Sequence, residues 1–130
     1  MAVNVKGYSL AKDGTKQLST NFKVREFKCN DGSDVIFVAD ELVTILQKIR
    51  SHFGKAVTIN SAYRTPAYNK KVGGATYSQH LYGTAADIVV SGVKPSEVYA
   101  YADSLLSGKG GVGKYDTFTH VDVREAKSRF

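Results

Sequence analysis

A chain of 130 residues with 18 Lys and Arg against 12 Asp and Glu, a formal charge of +6, can bury one core and favours anionic partners. Its single cysteine, Cys29, excludes an intramolecular disulfide, and no stretch is apolar for long enough to cross a bilayer. The basic residues are scattered, as in Lys70-Lys71, Lys109, Lys114 and the tail from Arg124 to Arg129, without interleaved aromatics, so a solvated surface is expected and nucleic acid is not an expected partner.

The opening residues lack an apolar run behind a basic start, so no secretion signal is expected and synthesis in the cytoplasm is the default. A substrate outside the cytoplasm would then be reached through lysis, a phage particle or another export route. No repeat or Pro/Ser/Gly linker divides the chain, which predicts one domain over residues 1–130, with 1–18 loosely packed, acting as a monomer.

From Asp40 to Phe53 the residues Leu42, Ile45, Leu46, Ile49 and Phe53 recur at spacings of three and four, which predicts an amphipathic helix with Asp40 as N-cap and Gly54 as its end. Ala56 to Ser61 is β-rich and predicts a strand. Arg64 follows in a connection, and Pro66 opens a brief helix that Gly73-Gly74 breaks. A second strand is predicted over Thr84–Val90, then a helix from Pro95 to Leu106 with Val98, Ala102, Leu105 and Leu106 on one face. The last strand covers Phe118–Val123, where alternation puts Phe118, His120 and Asp122 on one face.

The same alternation places Asp87 in an otherwise apolar strand, opposite the face of Ala86, Ile88 and Val90. A carboxylate there needs a cation, a metal or several donors. Catalytic zinc takes three protein ligands and leaves a fourth position open, and His80, Asp87 and His120 supply two imidazoles and a carboxylate. Spacing alone leaves two readings: metal ligands, or histidines held by ordinary hydrogen bonds. Arg64 is by the same token either a surface ion-pair former or an anion-binding fork.

The segments Asn21-Phe-Lys-Val-Arg-Glu-Phe27, Ser61-Ala-Tyr-Arg-Thr-Pro66, Gly73-Gly74, Ser78-Gln-His-Leu-Tyr-Gly-Thr-Ala-Ala-Asp87, Gly110-Gly-Val-Gly-Lys-Tyr115 and Thr119-His-Val-Asp-Val-Arg124 closely resemble, in this order, the M15 peptidase family of D-Ala-D-Ala carboxypeptidases and related phage endolysins. The resemblance implies an α+β fold, a small antiparallel sheet flanked by helices as in the hedgehog signalling domain. It implies Zn2+ held by His80, Asp87 and His120, and hydrolysis of peptide bonds in peptidoglycan stem peptides, by carboxypeptidase or endopeptidase action. Arg64 is then expected to bind the substrate carboxylate or a developing oxyanion. Branches of the family carry a glutamate three residues before the last zinc histidine, but Thr117 stands there. Asp122, in the H-x-D pattern, is therefore expected to be the base or to orient His120, with Asp116 as the fallback. Ser78, Gln79, Tyr82 and Tyr115 are expected at the substrate, Ser78 equally as a turn cap, and Tyr63 at the cleft or in the core. His52, near a helix C-terminus, is assigned no chemistry. A second reading is a non-catalytic zinc domain that binds wall or a protein partner. Short length and the missing signal lean toward a phage or prophage lytic enzyme.

Overall fold

Both predicted long helices form in the computed structural model, which describes residues 3–130: α2 (Asp40–Phe53) and α4 (Pro95–Leu106) follow the shorter α1 (Leu10–Asp13) and flank α3 (Pro66–Lys71). Leu42, Val43, Leu46 and Ile49 are the buried face of α2, and Val98, Ala102 and Leu106 that of α4. Asp40 does not cap α2. Ala39 occupies the N-cap, and Asp40 is the first helical residue, its carboxylate 2.9 Å from the Lys6 ammonium, where it complements the partial positive charge of the helix start.

The strands β5 (Val57–Ser61), β6 (Ala85–Val90), β7 (Gly111–Lys114), β8 (Thr119–Asp122) and β9 (Ser128–Arg129) form one sheet in the order β5-β6-β8-β7-β9. Its pairings are antiparallel except the last, where β9 runs parallel to β7. Two small sheets pair β1 (Val5–Ser9) with β4 (Val35–Ala39) and β2 (Gln17–Ser19) with β3 (Phe22–Lys23). The protein is thus α+β, as expected.

The segment 1–18, expected to be loosely packed, takes part in pairing over its described part, residues 1 and 2 lying outside the described residues. β1 pairs with β4 along its whole length, the Asn4 N–H donates to Glu41 at 2.8 Å, and the Ser9 hydroxyl caps α1. β4 buries Ile36, Val38 and Ala39 and would otherwise expose an unpaired edge, which β1 covers.

The main sheet divides its residues by alternation. Ala86, Ile88 and Val90 of β6, Val112 of β7 and Val121 of β8 are all buried and belong to the core shared with α2 and α4. Asp87, His120 and Asp122 point to the opposite face, as do Gly111 and Gly113, because Asp87 pairs with His120, Gly113 with His120 and Gly111 with Asp122 across the strands. Leu46, Ile49 and Ile88 are at most 1% exposed, and full burial of each such side chain contributes about 1.5–3 kcal/mol. That burial on one face offsets the cost of gathering charged groups on the other.

Candidate metal centre

Register brings the first two groups together: Asp87 and His120 are cross-strand partners on β6 and β8. The third arrives on a 3-10 turn over Gln79–Tyr82, capped by the Ser78 hydroxyl, which accepts from His80 N–H at 3.2 Å. Gly83 ends this turn at φ 72, a left-handed conformation that glycine adopts without strain, and a Cβ there would collide with the Phe37 carbonyl. His80, Asp87 and His120 are buried, and one ligand atom from each lies within 4.8 Å of the other two.

The hydrogen bonds fix which nitrogens face inward. His80 Nδ1 is 2.7 Å from the Ala62 carbonyl oxygen, which only accepts, so Nδ1 carries the proton and Nε2 presents its lone pair 3.3 Å from Asp87 Oδ2. His120 Nε2 is 2.7 Å from Asp122 Oδ2, so it donates there, and Nδ1 faces Asp87 Oδ1 at 3.0 Å. Two imidazole lone pairs thus converge on a carboxylate. Acceptors facing acceptors at such distances repel unless a proton or a metal ion lies between them. Two imidazoles and a carboxylate, each histidine anchored through its other nitrogen, are a donor set that fits zinc with an open fourth position.

When a proton rather than a metal ion lies between these groups, burial opposes charge on Asp87, but the hydrogen bonds from His120 and His80 outweigh it and hold the carboxyl well below the usual carboxylate range. Burial likewise lowers the pKa of His120, yet its bonds to Asp122 and Asp87 prevail and raise it.

A cleft of about 380 Å³ opens over the cluster. Of the residues the sequence singles out, Arg64, Ser78, Gln79, His80, Asp87, Tyr115 and His120 line it. Arg64 donates from Nε to Ser61 Oγ at 3.2 Å and from Nη1 to Asn69 Oδ1 at 3.3 Å, while Nη2 stands 3.8 Å from Asp87 Oδ2. Its backbone N–H donates to the His80 carbonyl at 3.0 Å, tying the connection after β5 to the histidine turn. Gln79 presents its Oε1 to the Thr84 hydroxyl at 2.8 Å. Tyr63 is buried, edge-on to Phe37.

The structure does not bring the remaining groups into the cleft. Tyr82 is half exposed outside its wall, because a turn of three residues per revolution that aims residue 80 inward aims residue 82 elsewhere. Asp116 is exposed and lines a separate depression beside Lys94 and Lys114. Asp122 lies behind His120, only 1% exposed, with Arg124 donating to it from Nε at 2.8 Å, from Nη2 at 2.7 Å and from its backbone N–H at 3.1 Å. Burial raises the Asp122 pKa, and the bonds from His120 and Arg124 more than reverse that, leaving it well below the usual range. A Cβ at Gly111 would collide with this carboxylate, so the bare glycine makes room for it.

Several participants escape the sequence reading. Asn69 is 4% exposed and donates to the Ala75 carbonyl while accepting from Arg64. Phe130 lines the cleft beside Phe118, which alternation puts on the face of His120, and the Ala62 carbonyl anchors His80. Arg124 was within reach, since the alternation that groups His120 with Asp122 extends two residues further.

Comparison with known proteins agrees with this geometry. A model of the peptidase M15 family matches residues 17–122, which contain Arg64 and all three converging ligands. Over 106 aligned residues the chain is 32% identical to the zinc D-Ala-D-Ala carboxypeptidase of Streptomyces albus G, covering 62% of this chain and 42% of that protein, so the chain spans less than half of the relative's length. A family match across most of the chain, with the donor set inside it, establishes that this chain belongs to the peptidase M15 family.

Proposed function

We propose that the protein is a zinc metallopeptidase that hydrolyses peptide bonds in the stem peptides of bacterial peptidoglycan. The observation that carries the reading is the convergence of His80 Nε2, His120 Nδ1 and the Asp87 carboxylate at the floor of a cleft whose wall holds the guanidinium of Arg64. A zinc ion held by these three residues would polarise the scissile carbonyl and bring the pKa of a bound water toward neutrality.

The chain's own residues supply the rest. Ala62 and Asp122 hold the two histidines in the tautomers that turn a lone pair inward. Arg64, with Nε and Nη1 engaged by Ser61 and Asn69, keeps Nη2 for the free carboxylate of the substrate or for the developing oxyanion. Ser78 accepts from the His80 N–H and so helps position that ligand from the cleft wall. Asp122, enclosed by four donors, orients His120 and has no lone pair turned to the cleft. Asp87, a metal ligand in this reading, is the one carboxylate lining the cleft among the described residues, and neither Asp122 nor Asp116 lines it as a base for the attacking water would.

This absence of a second carboxylate favours one alternative, a zinc-stabilised domain that binds wall peptide without cutting it. Mass spectrometry of purified peptidoglycan and of a D-Ala-D-Ala-terminated stem peptide separates the two. Fragments from the zinc-loaded protein that vanish in His80→Ala are the expected result, and their masses name the bond. No fragments from a folded, zinc-bound wild type would overturn the peptidase reading in favour of the binding domain.

A further inference from the structure

The cleft has two unlike ends, set by the strand order β5-β6-β8-β7-β9. At the β5 end stands Arg64, against Ser61 and Asp87. Beyond β8, on the other side of His120, the wall is aromatic. Tyr115 and Phe118 stack with ring centroids 4.4 Å apart and planes at 9°, and Phe130 meets Tyr115 edge-on at 6.4 Å. The Phe130 ring centroid is 5.3 Å from that of His120. The cation at this end is already engaged: Arg124 gives its fork to Asp122, and its Cζ lies over the Phe130 ring, 5.9 Å from the centroid.

Phe130 is delivered to this place by built structure. Its N–H donates to the Val112 carbonyl at 3.1 Å, and its carbonyl accepts from the Lys114 N–H at 2.8 Å, extending the β7–β9 pairing. The neighbouring Arg129 locks the strand through Asp103 at 2.6 Å and the Gly110 carbonyl at 2.7 Å. Gly113, the β7 partner of His120, leaves the space the ring occupies, since a Cβ there would collide with Phe130. Yet Phe130 is 50% exposed and lines the cleft. A large aromatic fixed this firmly and left half open to a cleft suits contact with an apolar group of a ligand. It also lies beyond residues 17–122, outside the part matched to the family.

We propose that Phe130, with Tyr115 and Phe118, forms an apolar subsite that selects the side chain of the residue on the acyl side of the scissile bond, while Arg64 at the opposite end receives the substrate's carboxylate. The proposal rests on the peptidase reading above. It makes Phe130 a specificity-determining residue.

The test uses zinc-loaded wild type, Phe130→Ala and Phe130→Leu on peptides with a free C-terminal carboxylate that differ only in the acyl-side residue: glycine, alanine, leucine or glutamate. Wild type is expected to prefer alanine and leucine. Phe130→Ala is expected to lose about tenfold or more in kcat/KM on leucine, chiefly through KM, the scale on which apolar contacts discriminate, and to stay within about twofold on glycine. Phe130→Leu is expected to recover most of the preference, with zinc content equal in all three proteins. An equal loss on every peptide, or no loss, would overturn the subsite. Should wild type cut none of them, the peptidase reading fails separately, and calorimetric binding of the same peptides decides. Tighter binding of leucine than glycine that disappears in Phe130→Ala sustains the subsite, whereas equal binding or none overturns it.

Discussion

Asp122→Asn removes the charge behind His120 while keeping the shape of the side chain. In the native protein the two carboxylate oxygens accept four hydrogen bonds, from His120 Nε2 at 2.7 Å and from Arg124 at 2.7, 2.8 and 3.1 Å. An amide has one accepting oxygen, so its NH2 must face either the imidazole N–H together with Arg124 Nη2, or Arg124 Nε and its backbone N–H, donor against donor. If the oxygen stays with Arg124, His120 loses the partner that fixes its tautomer, and Nδ1 no longer offers its lone pair consistently. Removing such a carboxylate behind a metal-bound histidine costs about 10–100-fold in metal affinity. Folding stability should fall by about 1–3 kcal/mol, the cost of an unsatisfied buried polar contact, and toward the low end because Arg124 is 30% exposed and water can reach it. Zinc affinity is measured by competition with a chromophoric chelator, and turnover at saturating zinc on the stem peptide. The expected outcome is weakened zinc binding, with turnover largely recovered once zinc is saturating. Unchanged affinity with turnover down a thousandfold would refute the argument and return Asp122 to the role of general base.

Three further perturbations probe other parts of the site. In the metal-free protein the raised pKa of His120 contributes stability that is full below the unfolded value of about 6.5 and is lost as pH rises through the folded value. Zinc needs that proton gone, so its affinity should climb by up to about tenfold per pH unit over the same window; thermal melts and chelator competition across pH should slope in opposite directions, and parallel slopes would contradict the assignment. Asn69→Ala leaves Arg64 Nη1 without its acceptor and should raise KM about tenfold on carboxylate-terminated peptides with zinc content intact; an unaltered KM would show that Arg64 needs no such support. Gly111→Ala should destabilise by about 1–3 kcal/mol in chemical denaturation and weaken zinc binding, because the new methyl displaces Asp122; a neutral effect would mean that β7 yields easily.

The parts legible in the sequence are those where local pattern and tertiary demand agree. The spacing of Leu42, Leu46 and Ile49 and the alternation around His120 and Asp87 predict α2, β6 and β8, and alternation correctly assigns His120 and Asp122 to one face. Alternation cannot say that the partner of His120 on β6 is Asp87; that depends on the register between strands 33 residues apart, and there the family motif supplied what spacing left open. β1 and β9 eluded the reading for a related reason. Val5–Ser9 is mostly exposed on both faces, and Ser128–Arg129 is two residues long, so each is a strand only because a neighbour offers backbone partners. Asp122 looked like a candidate base because a carboxylate beside a metal ligand suits either role, and the four donors around it, which no local pattern shows, favour the orienting role. Asn69 resembled any polar residue on a short helix, since its burial comes from Gly74 and Ala75 folding back over it.

The division of the main sheet into a packing face and a chemical face has a consequence for how the protein can change. Along β6, β7 and β8 neighbouring codons answer to different demands: Ala86, Ile88, Val112 and Val121 to volume, Asp87, Gly111, Gly113, His120 and Asp122 to ligand geometry. A saturation library over these strands would therefore separate into two interleaved sets with a period of two. One set would be filtered by abundance in the cell, and the other would yield proteins made in full but idle. Selection could remodel the cleft floor while drawing little on the core beneath it, and the core could drift among apolar residues of similar volume without the metal ligands losing alignment.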